Sequence, residues 1–484
     1  MKRIVIIGGG ITGLAAAHEL LKQSGPSHEP FELKLLESSA RPGGIVQTEE
    51  RDGFLLERGP DSFISEKPAA LELAKSLGLE SQLIQTNPNH RRSFVVRGGK
   101  LLPVPEGFQL LAPSRLAPFL RSNIFSWSGK IRMALDVLLP RPNGSDDESL
   151  AQFVRRRLGR EALERMAQPM VGGIYTADPE LLSLRATMPR FLEMEREHRS
   201  LILALRRQAL RASAGAEASG ARYSLFLSFD RGMQVLTDAL AKSIADCQLP
   251  ISDSSSSSRE RIRLSTTVES VTLDRTDSKK PVWKITIGNA ECIPADAVCF
   301  CVPAFVSASL LREVDPQLAS ELSAITYAST ATINLAYRVQ DVPHALDGFG
   351  FVVPFIEKKS LIACTFSSQK FAGRAPDGHV LLRAFVGGAL QPEMLDLDDD
   401  EMLSRVRKDL QELLGITRPP LFAEVSRWRK SMPQYHVGHL ERVRRLQARV
   451  LNLPGLALAG NAYTGPGIPD CIRSGQKTVL SLQS

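Results

Sequence analysis

Long apolar runs are missing from this sequence. No segment reaches about eighteen consecutive apolar residues, so nothing reads as a membrane-spanning helix. Cysteine is sparse: there are six in 484 residues, at Cys247, Cys292, Cys299, Cys301, Cys364 and Cys471. Only Cys299 and Cys301 lie close together. The spacing holds no metal-ligand pattern, and the count is low for a disulfide scaffold. Reduced, mostly buried thiols in a reducing compartment are expected, which points to the cytoplasm. No Ser/His/Asp or Cys/His arrangement stands out. His436 and His439 lack nearby acids or cysteines to complete a metal site, so they read as structural or substrate-contact residues. There is no internal repeat.

Negative charge is in deficit. The net charge is +7 and the pI about 9.1. That balance suits an acidic partner such as nucleic acid, anionic lipid or a polycarboxylate, with a scattered solvated surface as the other reading. Arg442, Arg444, Arg445 and Arg449 read as a solvated helix face rather than a nucleic-acid site.

A chain of this length, 43% hydrophobic, predicts two or three domains. The apolar run at 4–7 reads as a buried strand rather than a secretory signal. Residues 14–22 read as a helix and 31–37 as a second strand, giving a βαβ unit. The pattern is helical from 110 to 211. An Ala/Gly/Ser-rich stretch at 212–221 reads as a flexible link, and the serine tract at 253–258 as a solvated loop tip. Strands are predicted at 267–273, 282–287 and 297–302, and the stretch 330–386 is strand-rich. A strand at 456–459 precedes a helix from about Pro469.

Gly8-Gly9-Gly10-Ile11-Thr12-Gly13 follows the first predicted strand and opens the first predicted helix. In that context Gly8 allows a tight turn, Gly10 lets the backbone approach a pyrophosphate, and Gly13 permits close helix–strand packing. The helix N-terminus offers free N–H groups to phosphates. Glu37 ends the next strand, where an acid bonds ribose hydroxyls and disfavours a 2′-phosphate, hence NADP. A glycine-rich turn without a ligand is the alternative.

The chain carries three more motifs. Arg41-Pro42-Gly43-Gly44 fits a chain passing close to an extended FAD, or else a simple β-turn. In Glu57-Arg58-Gly59-Pro60-Asp61-Ser62-Phe63, Gly-Pro sets a turn, and Asp61 and Ser62 can cap a helix after it. Spacing alone says no more of it than a loop before a helix. At the C-terminus, Gly465-Pro466-Gly467-Ile468-Pro469-Asp470 leads into a helix whose positive end could face a flavin pyrimidine ring, or which simply caps the fold.

With these motifs assembled, the sequence resembles the protoporphyrinogen oxidase family of amine-oxidase-like flavoproteins, nearest to its bacterial coproporphyrinogen III oxidase branch. The resemblance runs almost end to end. It rests on residues 5–17, Glu57 to Phe63, Gly173-Ile174-Tyr175, Glu197 to Ile202, Ser431-Met432-Pro433-Gln434-Tyr435-His436-Val437-Gly438-His439 and Gly467-Ile468-Pro469-Asp470-Cys471-Ile472. The first block is common to many flavoproteins; the last two are far more specific. Ile45 departs from the pattern, which commonly has Lys or Arg there.

The resemblance implies an α/β fold: a Rossmann-like FAD domain (1–70, 228–302, 428–484), a mixed-sheet substrate domain (71–112, 195–227, 303–427) and a helical domain (113–194). It implies non-covalent FAD held by Gly8, Gly10, Gly13, Glu37, Gly59, Ser62, Val268, Trp428, Ile468 and Pro469. For the substrate it implies Lys67 as a propionate anchor, with Ile174 and Phe385 lining a tetrapyrrole cavity. The implied reaction takes six electrons from a porphyrinogen in three hydride transfers to flavin N5, with molecular oxygen as acceptor and hydrogen peroxide released. Protoporphyrinogen IX is the alternative substrate; an amine oxidase or carotenoid desaturase is a further alternative on the same fold. Phe119, Ile124, Phe125 and Trp127 fall where membrane-bound relatives touch lipid. Here they read as partly core, with any contact peripheral, at the inner face of the membrane. Hand-over to a ferrochelatase-type enzyme is also implied, and no nucleic acid.

Overall fold

The computed structural model describes residues 1–23, 30–140, 147–215, 225–247, 261–277 and 281–482. The serine tract 253–258 lies outside them.

Strand Lys2–Ile7, with its buried apolar run at 4–7, forms the centre of a five-stranded parallel sheet. Phe31–Leu36 lies on one side of it and Ala297–Phe300 on the other, with Ile262–Arg263 and Leu456–Leu458 at the edges. A strand buried on both faces needs no alternation, which is why this one reads as a continuous run. Helices Ile11–Lys22, Gln234–Asp246 and Ile468–Leu480 cover one face through Leu14, Leu20, Leu236, Leu240, Ile472 and Val479. The first and last helices pack backbone to backbone: a Cβ on Gly475 would fall 2.3 Å from the Thr12 carbonyl oxygen. The other face carries a three-stranded antiparallel ribbon, Val268–Asp274, Val282–Ile287 and Glu291–Ala295, with helices Ala304–Leu311 and Pro316–Ser323. This is a Rossmann-like, doubly wound arrangement.

A second, seven-stranded sheet runs in the order Phe422–Pro433, Tyr327–Arg338, His379–Gly387, Leu361–Phe366, Gly350–Val352, Phe94–Arg97, Lys100–Pro103. Its neighbours are antiparallel except Gly350–Val352 with Phe94–Arg97, which are parallel. Strand alternation sorts its side chains. Ile333, Leu335, Leu382 and Val386 pack on Met402, Val406 and Leu410 of helix Asp399–Leu414. Thr332, Asn334, Arg383 and Phe385 occupy the opposite face.

Helices Leu116–Arg121, Trp127–Ala134, Leu150–Arg157, Gln168–Tyr175, Pro189–His198 and Leu201–Gly215 share a third core. It includes Phe119, Ile124, Phe125, Phe153, Phe191 and Leu205. Of the four residues read as partly core, Phe119, Ile124 and Phe125 are buried, whereas Trp127 is 69% exposed. Arg157 and Asp136 sit at 0% exposure as an ion pair, with Arg157 Nε donating to Asp136 Oδ1 at 2.7 Å.

Two sequence readings need correction. The 212–221 stretch is not a link from its start, because the helix beginning at Leu201 continues to Gly215. Its alanines and leucines favour helix over coil. Residues 216–221 lie outside the described set. The basic cluster is more than a solvated face. Arg445 pairs with Glu321 at 2.7 Å and Arg449 with Asp315 at 2.8 Å, tying helix His439–Val450 to the neighbouring helix. Among the described residues no helix is long and apolar enough to cross a membrane.

Candidate cofactor and substrate site

Strand Lys2–Ile7 ends in Gly8, whose φ of +106° places it where a side chain is strained; a Cβ there would also meet the Cys301 carbonyl oxygen at 2.7 Å. Gly13 faces Gly8 across the turn, and a Cβ on it would lie 1.9 Å from the Gly8 oxygen. Gly10, by contrast, has open space where its Cβ would be. The loop is therefore closed on its protein side and open at Gly10. Glu37 is held against it: Oε2 accepts from the Gly9 N–H at 2.7 Å, and Oε1 from the Ser39 N–H at 2.8 Å and hydroxyl at 2.7 Å. The Arg41–Gly44 turn is not free-standing. The Gly43 N–H donates to the Gly9 oxygen at 2.8 Å, so the second glycine pair lies alongside the first loop.

The Glu57–Ser62 loop is gripped by the second sheet. Asn334 Nδ2 donates to the Glu57 oxygen at 3.1 Å. Thr332 Oγ1 and Trp428 Nε1 donate to the Arg58 oxygen at 2.8 and 2.9 Å, and Arg383 donates to that of Gly59. Gly59 itself leaves no room for a Cβ, which would collide with the Ile45 oxygen. Asp61 and Ser62 do not cap a helix, contrary to the sequence reading; the next element is the short strand Phe63–Ile64. Lys370 takes the Asp61 carboxylate at 2.9 Å, and Ser62 Oγ donates to it at 2.7 Å. Burial would raise the Asp61 pKa, but Lys370 and Arg383 outweigh it and hold the carboxyl well below the usual range. Glu57 goes the other way. Burial pushes its pKa up to about 7, although the Met233 N–H and the Thr48 hydroxyl donate to it.

Val268 opens the three-stranded ribbon, two residues after Thr266, whose N–H donates to the Glu37 oxygen at 2.8 Å. At the C-terminal end, helix Ile468–Leu480 starts from Gly467 with no side-chain cap, and Pro469 sits in its first turn. Its first N–H groups are left for other acceptors.

Of the predicted substrate residues, Lys67 forms an ion pair with Asp470 at 2.6 Å. Ile174 is 47% exposed near the end of helix Gln168–Tyr175. Phe385 lies opposite Thr332 and under the Arg383 guanidinium, 4.8 Å from its ring centre. The structure brings the last two segments together: the Ala389 N–H donates to the Thr176 oxygen at 2.8 Å, and Gln434 Nε2 to that of Tyr175 at 3.3 Å. The Tyr175 and Tyr435 rings are 6.2 Å apart. Burial and then the Asp470 charge raise the Tyr175 phenol to about 12. His439 stacks on Tyr435 at 4.5 Å, and burial together with Arg442 lowers its pKa to about 4.

Sequence reasoning missed Asn334, Thr332, Lys370, Arg383 and Asp470. The signal for Arg383 was available, since it is an arginine inside an otherwise apolar strand.

The model of flavin-containing amine oxidoreductases matches residues 11–479. The chain belongs to that family. It is a flavin-dependent oxidoreductase, and its cofactor is FAD. It is 35% identical to the coproporphyrinogen III oxidase of Bacillus subtilis (strain 168), over 99% of this chain and 97% of that protein. It is 30% identical to the chloroplastic protoporphyrinogen oxidase of Nicotiana tabacum, over 97% of this chain and 83% of that one. A crystal structure of a protein from Exiguobacterium sp. 255-15 superposes with a TM-score of 0.84 at 31% identity, covering 100% of this chain and 98% of that one. The residues present in this flavoprotein fit FAD. Gly10 leaves open space beside the glycine loop, Glu37 holds a fixed acid against that loop, and the final helix has no side-chain cap.

Proposed function

We propose that this flavoenzyme oxidises coproporphyrinogen III to coproporphyrin III in heme biosynthesis, with molecular oxygen as the final acceptor and hydrogen peroxide as co-product. The observation that carries the reading is the likeness to a bacterial coproporphyrinogen III oxidase along nearly the whole chain.

Bound FAD supplies two-electron oxidation of a substrate carbon–hydrogen bond. The loop of Gly8, Gly10 and Gly13 and the first turn of helix Ile11–Lys22 hold the pyrophosphate. Glu37 takes the ribose, and the backbone at Val268 meets the adenine. Gly59, Ser62 and Trp428 would fix the chain beside the cofactor, and the positive end of helix Ile468–Leu480, which starts at Ile468 with Pro469 shaping its first turn, would favour negative charge on the flavin. Lys67 holds a propionate, while Ile174 and Phe385 bracket the macrocycle and exclude water. Aromatisation provides driving force, so positioning is the protein's main task. A division into an FAD, a substrate and a helical region belongs to the same reading.

A peripheral membrane contact belongs to the same reading. Leu116, Leu120, Trp127, Ile131, Leu135 and Leu138 are exposed on consecutive short helices and the turn that follows them, with Leu138 at 72% and Ile131 at 62%. Several exposed apolar side chains in one short segment suit an interfacial contact.

The deciding experiment compares kcat/KM for coproporphyrinogen III and protoporphyrinogen IX on the purified holoenzyme, with autoxidation subtracted. The expected ratio favours coproporphyrinogen III. A ratio clearly favouring protoporphyrinogen IX overturns the substrate assignment. Failure of both porphyrinogens to bleach the flavin under nitrogen overturns the reaction class.

A further inference from the structure

Lys67 and Asp470 meet where the proposed substrate anchor touches the helix proposed to face the flavin. Lys67 precedes helix Ala69–Ser76, and its side chain is 48% exposed; that of Asp470 is 12% exposed. The two form a 2.6 Å ion pair. Asp470 lies in the first turn of helix Ile468–Leu480, and its carboxylate is wedged against the preceding loop. A Cβ on Gly465 would lie 2.8 Å from Asp470 Oδ2, and one on Gly467 3.0 Å from it. The carboxylate thus fills space that the two glycines leave beside the loop and is largely buried, while the ammonium sits on a long, more exposed stem. The Asp470 charge also raises the pKa of Tyr175, the last residue of the helix that carries Ile174, and that of Tyr435.

We propose that Asp470 sets how tightly the site holds a carboxylated ligand, by competing with the ligand's carboxylate for the Lys67 ammonium. This rests on the reading of Lys67 as the substrate anchor. An ammonium has three donors and can serve two carboxylates, but the second meets a cation already paired and a neighbouring anion that repels it. Oxidation of the ring leaves the carboxylates unchanged, so an anchor of this kind binds substrate and product alike. A stronger one would lower KM and retain product without speeding the chemical step. Asp470 weakens that hold.

The test titrates FAD-loaded enzyme with coproporphyrin III, followed by porphyrin fluorescence, for the wild type, Asp470→Asn, Lys67→Ala and the double variant. Coproporphyrin tetramethyl ester is the uncharged control, and FAD content is measured for each protein. Asp470→Asn is expected to bind coproporphyrin about two- to fivefold more tightly, the size of a partly exposed ion-pair effect. The gain should shrink with salt, and be absent for the ester and in the double variant. In turnover the same variant should show a lower KM with kcat unchanged or reduced. Asp470→Ser, also uncharged, gives the same reading if the asparagine variant loses FAD. Weaker binding by Lys67→Ala alongside unchanged binding by both Asp470 variants overturns the competition and leaves the anchor standing. Unchanged binding by Lys67→Ala overturns both.

Discussion

Trp428 donates its indole N–H to the carbonyl oxygen of Arg58 at 2.9 Å, joining residues 370 positions apart. Thr332 Oγ1 donates to the same oxygen at 2.8 Å, so two strands of one sheet hold one loop carbonyl. Trp428→Phe keeps an aromatic ring and removes one donor. Because Thr332 remains, the cost is one hydrogen bond, about 0.5–1.5 kcal/mol, and not an orphaned carbonyl. Thr332→Val should cost a similar amount. The double variant should lose more than the sum, because the carbonyl then has neither partner. Denaturant unfolding of the four proteins measures the coupling, and additive losses would count against a shared carbonyl.

Glu37→Ala should weaken FAD binding. A charge-assisted hydrogen bond to ribose is worth about 1.5–3 kcal/mol, roughly ten- to a hundredfold in affinity. Glu37 also accepts from the Gly9 N–H, so the glycine loop loosens in the same direction. Fluorescence titration of apoprotein with FAD reads the change, and an unaltered dissociation constant removes Glu37 from the ribose contact.

Glu57 predicts a pH dependence. Burial raises its folded-state pKa from 4.5 to about 7. Between these values the folded state binds the extra proton, so stability falls as pH rises through this window. Above about 7 the buried carboxylate is ionised in both states and the full penalty is present. Glu57→Gln removes the titration. Its stability relative to wild type should therefore improve from pH 4.5 to above 7, by up to about 3 kcal/mol. Urea unfolding at several pH values tests this; parallel stability curves for the two proteins would rule it out.

Asp136→Ala should be the most destabilising of these changes. It removes the nearer carboxylate from the fully buried Arg157, leaving Glu195 at 3.5 Å, and also removes acceptors from the Ser200 hydroxyl and the Ile202 N–H. Breaking one side of a buried pair costs about 3–5 kcal/mol. The pair lies in the helical core, so FAD affinity of the folded fraction, measured in the cold, should stay near wild type.

Much of the cofactor half was legible in the residues themselves. A continuous apolar run, glycines at fixed offsets and an acid closing the next strand are local patterns, and βαβ geometry follows from them because each step depends on neighbours in sequence. The open side of Gly10, the absence of room at Gly13 and the uncapped helix at Ile468 agree with that local logic. The grip on the Glu57–Ser62 loop was not legible. Asn334, Thr332, Arg383 and Trp428 come from three strands of a sheet whose pairing is long-range, and only the register decides which of their side chains face the loop. For the same reason Asp61 and Ser62, good capping residues by type, have no helix to cap. Lys370 and Arg383 arrive from some 300 residues away and take the charge. The sequence by itself determined the dinucleotide fold and its glycine loop. Only tertiary packing decided that Lys67 is paired with Asp470, because an ion pair between residues 403 positions apart exists only once the chain has closed on itself.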